Sequence, residues 1–324
     1  MAISQTDNPL TIAIVGSGYM GGGIAQVLAL AGHTVIISDV SAEVAEQNRQ
    51  RLLKESDQFV ADELFAAGST KIIDEHLTAA ASIEDAVAQA QFIEEAVPER
   101  LELKREILAR VSAAAPAEAV IASNTSTIQI GAMASAVDHP ERFLGVHFSN
   151  PSPFIPGVEI IPHAGTSEET IKTAEAVVQS TGKETARIKD VTGFVLNRLQ
   201  YALFHEATQL VDEGVASVED IDTIVRTTFG FRLPFFGPFA IADMAGLDVY
   251  AFCYASLQQG FPERFATPEI LKQLVDAGKL GTKSGAGFLN VPADATPELV
   301  AYRNKAYVKM QQLLDELGPA PVTY

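Results

Sequence analysis

The chain has 324 residues, of which 47% are hydrophobic and 20% are charged, and its formal net charge is −18. This composition is typical of a soluble globular protein, and the length predicts two domains with sizeable cores. Because so acidic a surface repels both nucleic acid and anionic lipid, we expect neither a nucleic acid nor a membrane as a partner.

The cellular compartment is predicted from the cysteine content and from the first residues. Cys253, the only cysteine, cannot form an internal disulfide, and its apolar helical context predicts a buried thiol in a reducing environment. The first nine residues lack the basic start and apolar run of a signal peptide, and no apolar segment approaches the length of a membrane span. We therefore expect a cytoplasmic protein.

From residue 10 to about residue 190, short apolar runs alternate with stretches of helical periodicity. This alternation predicts a mainly parallel sheet with helices on both faces. Residues 41–67 are predicted to form a polar helix or helical hairpin that projects from the sheet, and crossover helices are predicted over 100–114 and 167–181. The predicted strands cover residues 12–15, 35–39, 92–97, 119–122, 143–147, 158–161 and 185–188.

The pattern changes after about residue 190, where helical periodicity dominates and no strand is predicted. A helix is expected over residues 193–214, and Ser217 opens the next helix as its N-cap. The predicted fold is therefore a Rossmann-type, doubly wound α/β domain over residues 1–190, followed by an all-α C-terminal domain over residues 191–324.

A glycine-rich turn follows the first predicted strand, with the spacing Gly16-x-Gly18-x-x-Gly21 and a helix that begins near Met20. In a dinucleotide site the first glycine allows the tight turn, the second admits a pyrophosphate, and the third brings helix and strand together. The second predicted strand ends at Asp39, about 20 residues on, where an acid binds the ribose 2′-hydroxyl. Because Asp39 would repel a 2′-phosphate, the pattern favours NAD over NADP. The alternative is a glycine-rich turn in another kind of α/β protein.

His147 and Glu159 are the candidate catalytic pair. His147 ends a predicted core strand at its carboxyl end, the edge at which open α/β sheets bind ligands. Glu159 is an acid in an otherwise apolar strand, and a buried carboxylate needs a partner. A carboxylate that orients an imidazole and stabilises its cation makes the general base that oxidation of an alcohol requires. The alternative for His147 is a structural residue at a strand end.

Two polar clusters interrupt apolar segments. The run 123–126 (Ser-Asn-Thr-Ser) follows a predicted strand, where small polar side chains bind a substrate oxygen or a cofactor amide. The same residues could instead cap a helix that begins near Thr127. Asn197 lies one turn after Gly193 on a mostly apolar helix face, and a buried asparagine needs a partner across the domain interface or on a ligand.

Arg232 is the one basic residue in the aromatic segment 229–236. A buried guanidinium is costly unless it binds an anion. A carboxylate of the substrate would match its two-pronged geometry. An ion pair with Asp243 or Glu219 would satisfy it equally well, so both interpretations stay open.

The other histidines are expected to be surface or structural residues, although His163, at the end of the Glu159 strand, could border the site. No grouping of histidine, cysteine and carboxylate residues has the spacing of metal ligands, so no metal site is predicted.

Over nearly the whole chain, these motifs and several others resemble those of the 3-hydroxyacyl-CoA dehydrogenases, and they come in the same order. The resemblance implies hydride transfer between a hydroxyl-bearing carbon and NAD, and a homodimer formed through the helical domain. The matching segments are the glycine motif extended to Gln26, Glu99 with Lys104, Ser-Asn-Thr-Ser at 123–126, His-x-x-Asn-Pro at 147–151, Val-Glu at 158–159, Gly-Phe-x-x-Asn-Arg at 193–198, Gly-Pro-Phe at 237–239 and Lys-Ser-Gly-x-Gly at 283–287.

The resemblance also implies roles for individual residues. The general base, its acid partner and two residues that hydrogen bond the reacting oxygen correspond, in that order, to His147, Glu159, Ser126 and Asn197. Asn150, together with Arg232, completes the predicted site as a substrate-binding residue. The predicted cofactor-binding residues are Gly16, Gly18, Tyr19, Met20, Gly21, Asp39, Glu99, Lys104 and Asn124.

Differences between this sequence and the CoA-binding members of that family narrow the predicted class of substrate. Those members carry basic residues on the helical arm after the second strand, whereas residues 41–67 hold more acids than bases. The form of the segment 230–238 looks more like that of the L-gulonate 3-dehydrogenase and lambda-crystallin branch, and of bacterial relatives that act on small carboxylates. We therefore predict an NAD-dependent dehydrogenase that oxidises the hydroxyl of a small 3-hydroxy acid. The alternatives are an L-3-hydroxyacyl-CoA dehydrogenase, such as one acting on 3-hydroxybutyryl-CoA, and an NAD-binding structural protein without activity.

Overall fold

The structure, a computed structural model, describes residues 1, 3 and 5–321. It divides the chain into two compact units, Met1–Leu203 and Phe204–Tyr324. The division lies beyond residue 190 because the helix Leu196–Asp212 begins in the first unit, where its first backbone N–H group is hydrogen-bonded to a strand residue, Glu159.

An eight-stranded sheet forms the centre of the first unit, in the order β3-β2-β1-β4-β5-β6-β7-β8. All neighbouring strands are parallel except β6 and β7, which are antiparallel. This arrangement confirms the predicted Rossmann-type, mainly parallel sheet. The strands are β1 Thr11–Val15, β2 Thr34–Ser38, β3 Leu77–Ala79, β4 Phe92–Glu95, β5 Val120–Ser123, β6 Phe143–Phe148, β7 Gly157–Pro162 and β8 Glu184–Arg187.

Helices cover both faces of this sheet, and each face buries its own apolar cluster. Successive strand residues point to opposite faces, so Ile12 and Ile14 of β1 join one cluster while Ala13 and Val15 join the other. Because both faces are buried, the central strands are apolar at successive positions rather than at alternate ones. The helices that begin in this unit are α1 Tyr19–Leu30, α2 Ala42–Ala61, α3 Ser69–His76, α4 Ile83–Val87, α5 Leu101–Ala114, α6 Gly131–Ala134, α7 Glu168–Ser180 and α8 Leu196–Asp212.

The segment 41–67 does not project from the sheet, and that prediction is wrong. Most positions of α2 are polar, but Ala45, Leu52 and Ser56 form a buried stripe, and Leu52 joins one of the two apolar clusters. A narrow apolar stripe therefore suffices to pack this polar helix. The strand β3 was not predicted, because three residues are too few to show a period.

The described residues of the second unit contain helices and no strand, apart from an isolated bridge between Gly281 and Ala286. This confirms the predicted helical C-terminal region. Its own helices are α9 Val218–Thr227, α10 Phe229–Arg232, α11 Pro238–Ala245, α12 Leu247–Gly260, α13 Glu269–Asp276 and α14 Thr296–Leu317.

The longer helices of this unit bury few side chains. Only Leu247 is buried in α12, and only Ala306 is buried among the 22 residues of α14. Cys253 is exposed on α12, so the prediction of a buried thiol is wrong, because an apolar helix need not be covered within its own chain. In the described residues no single helix is both long and apolar enough to cross a membrane, and only α11 and α12, bent by 100°, meet that test as a pair.

Candidate active site

The glycine-rich turn joins β1 to α1 as the sequence predicts. Gly16 has a φ of +97°, a left-handed backbone that strongly favours glycine. A Cβ on Gly21 would lie 1.9 Å from the carbonyl oxygen of Gly16, so only a hydrogen fits between helix and strand. A Cβ on Gly18, in contrast, would meet no atom within 4 Å, and no side chain caps the start of α1. The N–H groups there fit the pyrophosphate of a dinucleotide.

Asp39 follows β2 and is fixed beside this turn. One carboxylate oxygen accepts hydrogen bonds from the backbone N–H and the hydroxyl of Ser17, at 2.8 and 2.7 Å. Two residues of α2 complete the arrangement. Asn48 donates to the Ser17 hydroxyl at 2.9 Å, and Arg51 donates to the carbonyl oxygen of Ser17 at 3.1 Å. Neither support was predicted from the sequence, since no local pattern connects α2 to the glycine turn.

A cavity of about 1300 Å³ opens at the carboxyl ends of the strands in the first unit. Eleven predicted residues line it. Glu159, Gly21 and Lys104 do not line it, and Arg232 belongs to the other unit. The predicted lining residues are Gly16, Gly18, Tyr19, Met20, Asp39, Glu99, Asn124, Ser126, His147, Asn150 and Asn197.

His147 and Glu159 face each other across the antiparallel strands β6 and β7. The Nδ1 atom of His147 lies 2.8 Å from a carboxylate oxygen of Glu159. The other carboxylate oxygen accepts the backbone N–H groups of Val195 and Leu196, at 3.0 and 2.9 Å. Because a carboxylate only accepts, Nδ1 carries the proton and Nε2 keeps its lone pair for a substrate.

The hydrogen bonds to Glu159 also fix its charge. Burial raises the pKa of this carboxyl, but the hydrogen bonds from His147, Leu196 and Val195 outweigh burial and lower the pKa below its ordinary value of 4.5. Glu159 is therefore ionised at neutral pH and stabilises a protonated imidazole.

The turn before α8 orients the backbone N–H groups of Val195 and Leu196 toward Glu159. Gly193 and Phe194 both have positive φ values, 75° and 49°. Such a conformation is uncommon for phenylalanine and is held by its surroundings. The Phe194 ring is fully buried, with its centroid 5.9 Å from that of the His147 ring. Phe194 thus packs beside the imidazole of His147 without lining the cavity, a contact that sequence reasoning did not single out.

Glu99 holds the 124–127 turn. Its carboxylate accepts hydrogen bonds from the Thr125 hydroxyl at 2.7 Å and from the backbone N–H groups of Ser126 and Thr127 at 3.0 and 2.9 Å. Burial raises the pKa of Glu99, whereas these hydrogen bonds and nearby Lys104 lower it, with a net shift below 4.5. No helix begins at Thr127, so the interpretation of this run as a helix cap is wrong.

Two asparagine side chains connect the 124–127 turn to other elements: Asn197 connects it to α8, and Asn124 connects it to β6. Asn197 donates its amide N–H to the Ser126 carbonyl oxygen at 2.7 Å, which leaves its own oxygen for a ligand. The side-chain oxygen of Asn124 accepts the backbone N–H of Phe148 at 2.8 Å, which leaves its amide N–H groups for a ligand. The Ser126 hydroxyl and the side-chain amides of Asn124 and Asn197 therefore line the same cavity as His147.

Lys104 is fully buried, so it does not reach the cavity as the resemblance implies. Its ammonium group is instead 2.8 Å from a carboxylate oxygen of Glu95, which is also fully buried. Glu95 was not predicted as part of the site, although an acid in the apolar β4 is a signal of the same kind as Glu159. His163 is occupied outside the cavity by hydrogen bonds to Pro140 and Gly165.

Arg232 ends α10 in the second unit. Its Nε atom is buried and has no hydrogen-bond partner within residues 1, 3 and 5–321. The proposed ion pair with Asp243 does not form, because that carboxylate accepts the backbone N–H groups of Phe288 and Leu289, at 3.0 and 2.7 Å. The described side chains also hold no group of three or more histidines, cysteines or acids arranged for a metal ion.

A Rossmann-type sheet, a glycine turn with an acid fixed beside it, and an oriented histidine at the strand ends define an NAD-dependent dehydrogenase that acts on a CH–OH group. The family comparison is specific. The model of the 3-hydroxyacyl-CoA dehydrogenase NAD-binding domain matches residues 11–191, and that of the C-terminal domain matches residues 193–291. The chain belongs to the 3-hydroxyacyl-CoA dehydrogenase family.

Three relatives illustrate the range of this family. The 5-formyl-3-hydroxy-2-methylpyridine 4-carboxylate 5-dehydrogenase of Mesorhizobium japonicum is 34% identical over 94% of this chain and 98% of its own. The 3-hydroxybutyryl-CoA dehydrogenase of Bradyrhizobium diazoefficiens is 35% identical over 86% of this chain and 94% of its own. The crystal structure of a 3-hydroxyacyl-CoA dehydrogenase from Archaeoglobus fulgidus matches with a TM-score of 0.78 and 30% identity, over 95% of this chain and 99% of the other.

Proposed function

We propose that the protein oxidises the hydroxyl of a small free hydroxy acid of the 3-hydroxy type, with NAD as the hydride acceptor. The observation that carries this proposal is Arg232, whose buried Nε has no hydrogen-bond partner among the described residues. A guanidinium in this state favours a carboxylate ligand, which it can bind through two parallel hydrogen bonds. A free hydroxy acid has such a carboxylate, whereas an acyl-CoA has a neutral thioester in its place.

The bases of α2 support the same substrate class. Arg49 is bonded to the Leu77 carbonyl oxygen at 2.7 Å and is paired with Asp74. Arg51 is paired with Glu55 at 2.7 Å. Among the described residues, Lys54 is then the one exposed base of α2 without an ion-pair partner. The rest of the exposed charge of α2 is acidic, so the helix offers little attraction to the phosphates of CoA.

The residues of the cavity supply the proton chemistry of the proposed reaction. The Nε2 atom of His147 takes the hydroxyl proton, and Glu159 stabilises the imidazolium that results. Ser126 and Asn197 hold the reacting oxygen as donors, because the Ser126 hydroxyl can donate one hydrogen bond and the Asn197 amide has a second N–H besides the one that binds the Ser126 carbonyl oxygen. When bound, NAD accepts the hydride that leaves the same carbon, and a carbonyl group forms.

A second candidate substrate is a 3-hydroxyacyl-CoA ester. The likeness to the Archaeoglobus fulgidus enzyme over nearly the whole of both chains favours it. The base, its acid partner and the two oxygen-binding residues would serve this substrate in the same way. Within the acyl part of the substrate the two candidates differ in the need for Arg232, so the experiment tests that residue.

The test compares Arg232→Met with the parent on 3-hydroxybutyrate, on L-gulonate and on 3-hydroxybutyryl-CoA, by NADH absorbance. We expect the parent to turn over a free acid, and the variant to lose about 10²-fold or more in kcat/KM, as when a charged hydrogen-bonded pair is lost. Arg226→Met, an exposed arginine in α9, is the matched control. Turnover confined to the CoA ester and unaffected by Arg232→Met would contradict the proposal.

We also propose that the helical unit pairs with a second copy of itself. Phe252 on α12 and Leu317 at the end of α14 are 72% and 70% exposed, on helices that bury almost nothing within the chain. Apolar surface of this extent is typical of a protein interface. A second copy is the expected occupant because the family that the chain resembles dimerises through this domain.

The dimer is tested by light scattering after gel filtration. We expect the parent to have twice the mass of the chain and Phe252→Asp to shift it toward the monomer. The neighbouring thiol of Cys253 should then react faster with a maleimide in Phe252→Asp than in the parent. A monomeric parent would contradict the proposal.

A further inference from the structure

Glu95 lies at the end of β4 and is fully buried, and three groups donate hydrogen bonds to its carboxylate. The Lys104 ammonium lies 2.8 and 3.1 Å from the two oxygens, and the Val97 N–H lies 2.7 Å from one of them. The Ser123 hydroxyl, at the end of β5, donates to the other oxygen. The carboxylate thus joins α5, the loop after β4 and the end of β5.

Lys104 is bound on all sides as well. Its ammonium donates to the Val97 carbonyl oxygen at 3.1 Å and lies 3.6 Å from a carboxylate oxygen of Glu99, in addition to its two bonds to Glu95. An ion pair as deep as this one gains little net stability over an apolar pair of the same shape, because both charges lose their water. The effect of the ion pair is instead to fix the positions of the residues around it.

The residues that this ion pair fixes are in contact with residues that line the cavity. Glu99, beside the ammonium, holds the backbone N–H groups of Ser126 and Thr127. The backbone N–H of Asn124 donates to the carbonyl oxygen of Glu95 at 2.7 Å, and the Asn124 side chain accepts the N–H of Phe148, next to the catalytic histidine. Glu99, Asn124 and Ser126, which all line the cavity, are therefore one or two contacts from the buried pair.

We propose that Glu95 and Lys104 form a positioning pair for the dehydrogenase reaction. The pair fixes Glu99 and, through it, the 124–127 turn, so that Asn124 and Ser126 are preorganised before NAD and the substrate bind. Neither side chain touches the ligands. This arrangement predicts that loss of the pair weakens cofactor binding and turnover even where the fold is intact, because a displacement of about 1 Å in a binding group can cost 10²-fold in rate.

The test is a double variant, Glu95→Gln with Lys104→Met, which keeps the shapes of both side chains and removes both charges. Lys104→Met alone leaves a buried carboxylate without its counter-charge, so it is expected to unfold at a lower temperature than the parent. The double variant should recover most of that loss. Its KM for NAD is nevertheless expected to rise about tenfold or more and its kcat to fall about 10- to 100-fold.

A readout that does not depend on activity is amide hydrogen exchange in the NAD-free protein. The N–H groups of Ser126 and Thr127 should exchange faster in the double variant than in the parent. The matched control is Arg105→Met, which removes the neighbouring charge of α5, bonded to the Ala132 carbonyl oxygen at 2.7 and 3.0 Å. It should leave the NAD affinity unchanged.

Ser123→Ala keeps both charges and removes only one hydroxyl, so it remains informative even if the charge variants fail to fold. We expect its KM for NAD to rise about threefold, as for the loss of one hydrogen bond. Parental KM for NAD, parental kcat and parental exchange of the 124–127 turn in a folded double variant would overturn the proposal. Parental KM for NAD in Ser123→Ala would do the same if the double variant does not fold.

Discussion

The carboxylate of Glu159 accepts the backbone N–H of Leu196, the first residue of α8, at 2.9 Å. Through its other oxygen the same carboxylate orients His147. A glutamine at this position cannot accept on both sides, because one of its two terminal groups is a donor. One side chain therefore links the orientation of the base to the start of a helix.

Removal of the base is expected to separate catalysis from cofactor binding. His147→Gln should lower turnover by about 10² to 10⁴, the range for a positioned general base, while NADH affinity stays near that of the parent. Turnover is measured by NADH absorbance and affinity by NADH fluorescence. His163→Gln is the control, because that ring lies outside the cavity lining. If His147→Gln kept most of its activity, another residue would be the base.

The ionisation of Glu159 is expected to make the protein sensitive to acid. Its pKa in the folded state lies below 4.5, so the stability that it contributes is present above about pH 4.5 and is lost as the pH falls through the lowered pKa. Glu159→Gln should lower the free energy of unfolding at pH 7 by about 1 to 3 kcal/mol and flatten its decline in acid. Urea unfolding between pH 3.5 and 7 measures both effects. Parallel curves for variant and parent would count against this assignment, with Glu184→Gln as the exposed control.

Glu94 has the opposite effect on stability. It lies on β4 between Ile14 and Ala122, and both of its oxygens are buried without a hydrogen-bond partner in the described part of the chain. Burial, and then repulsion by Glu95, raise the pKa of Glu94 well above 4.5. Glu94 therefore stays protonated in the folded state up to the raised pKa, and its contribution to stability is fully present below about pH 4.5 and is lost as the pH rises through the raised pKa.

Glu94→Leu is accordingly expected to stabilise the protein by about 1 to 3 kcal/mol at pH 8, with a smaller gain at pH 4. Glu94→Gln removes the charge but keeps polar atoms, so it should remove only the pH-dependent part. Urea unfolding at the two pH values measures the difference. A gain that is equal at both would show that the charge of Glu94 is not its cause.

Asp39 is expected to set the preference for NAD. Its carboxylate is held by Ser17, and we expect it to bind a ribose 2′-hydroxyl and to repel a 2′-phosphate. Asp39→Ala should lower the ratio of kcat/KM for NAD to that for NADP, mainly through the value for NAD. Asp57→Ala, an exposed acid of α2, is the control. Comparable efficiencies with the two cofactors in the parent would rule out this role.

Most of the sheet could be predicted because its strands are apolar on both faces. The pairing of His147 with Glu159 could be predicted as well, because each is an ionisable residue in an otherwise apolar strand, β6 or β7. What could not be predicted depends on contacts distant in sequence. Glu99 acts on a turn that follows the next strand, and the position of Lys104 in the family motif gave no sign that it is buried. The exposure of Cys253 depends on what covers α12, which its own sequence does not specify.

The antiparallel pairing of β6 and β7 has a consequence for how the protein folds. His147 and Glu159 are separated by only a short connection, whereas β1 must pair with β4 across four helices and two strands. Contacts between residues close in sequence cost less chain entropy to form, so we expect the catalytic pair to assemble before the cofactor half of the sheet. In pulse-labelling hydrogen exchange during refolding, the amides of β6 and β7 should then become protected earlier than those of β1. The residues that carry the proposed proton transfer would therefore belong to the part of the sheet that forms first.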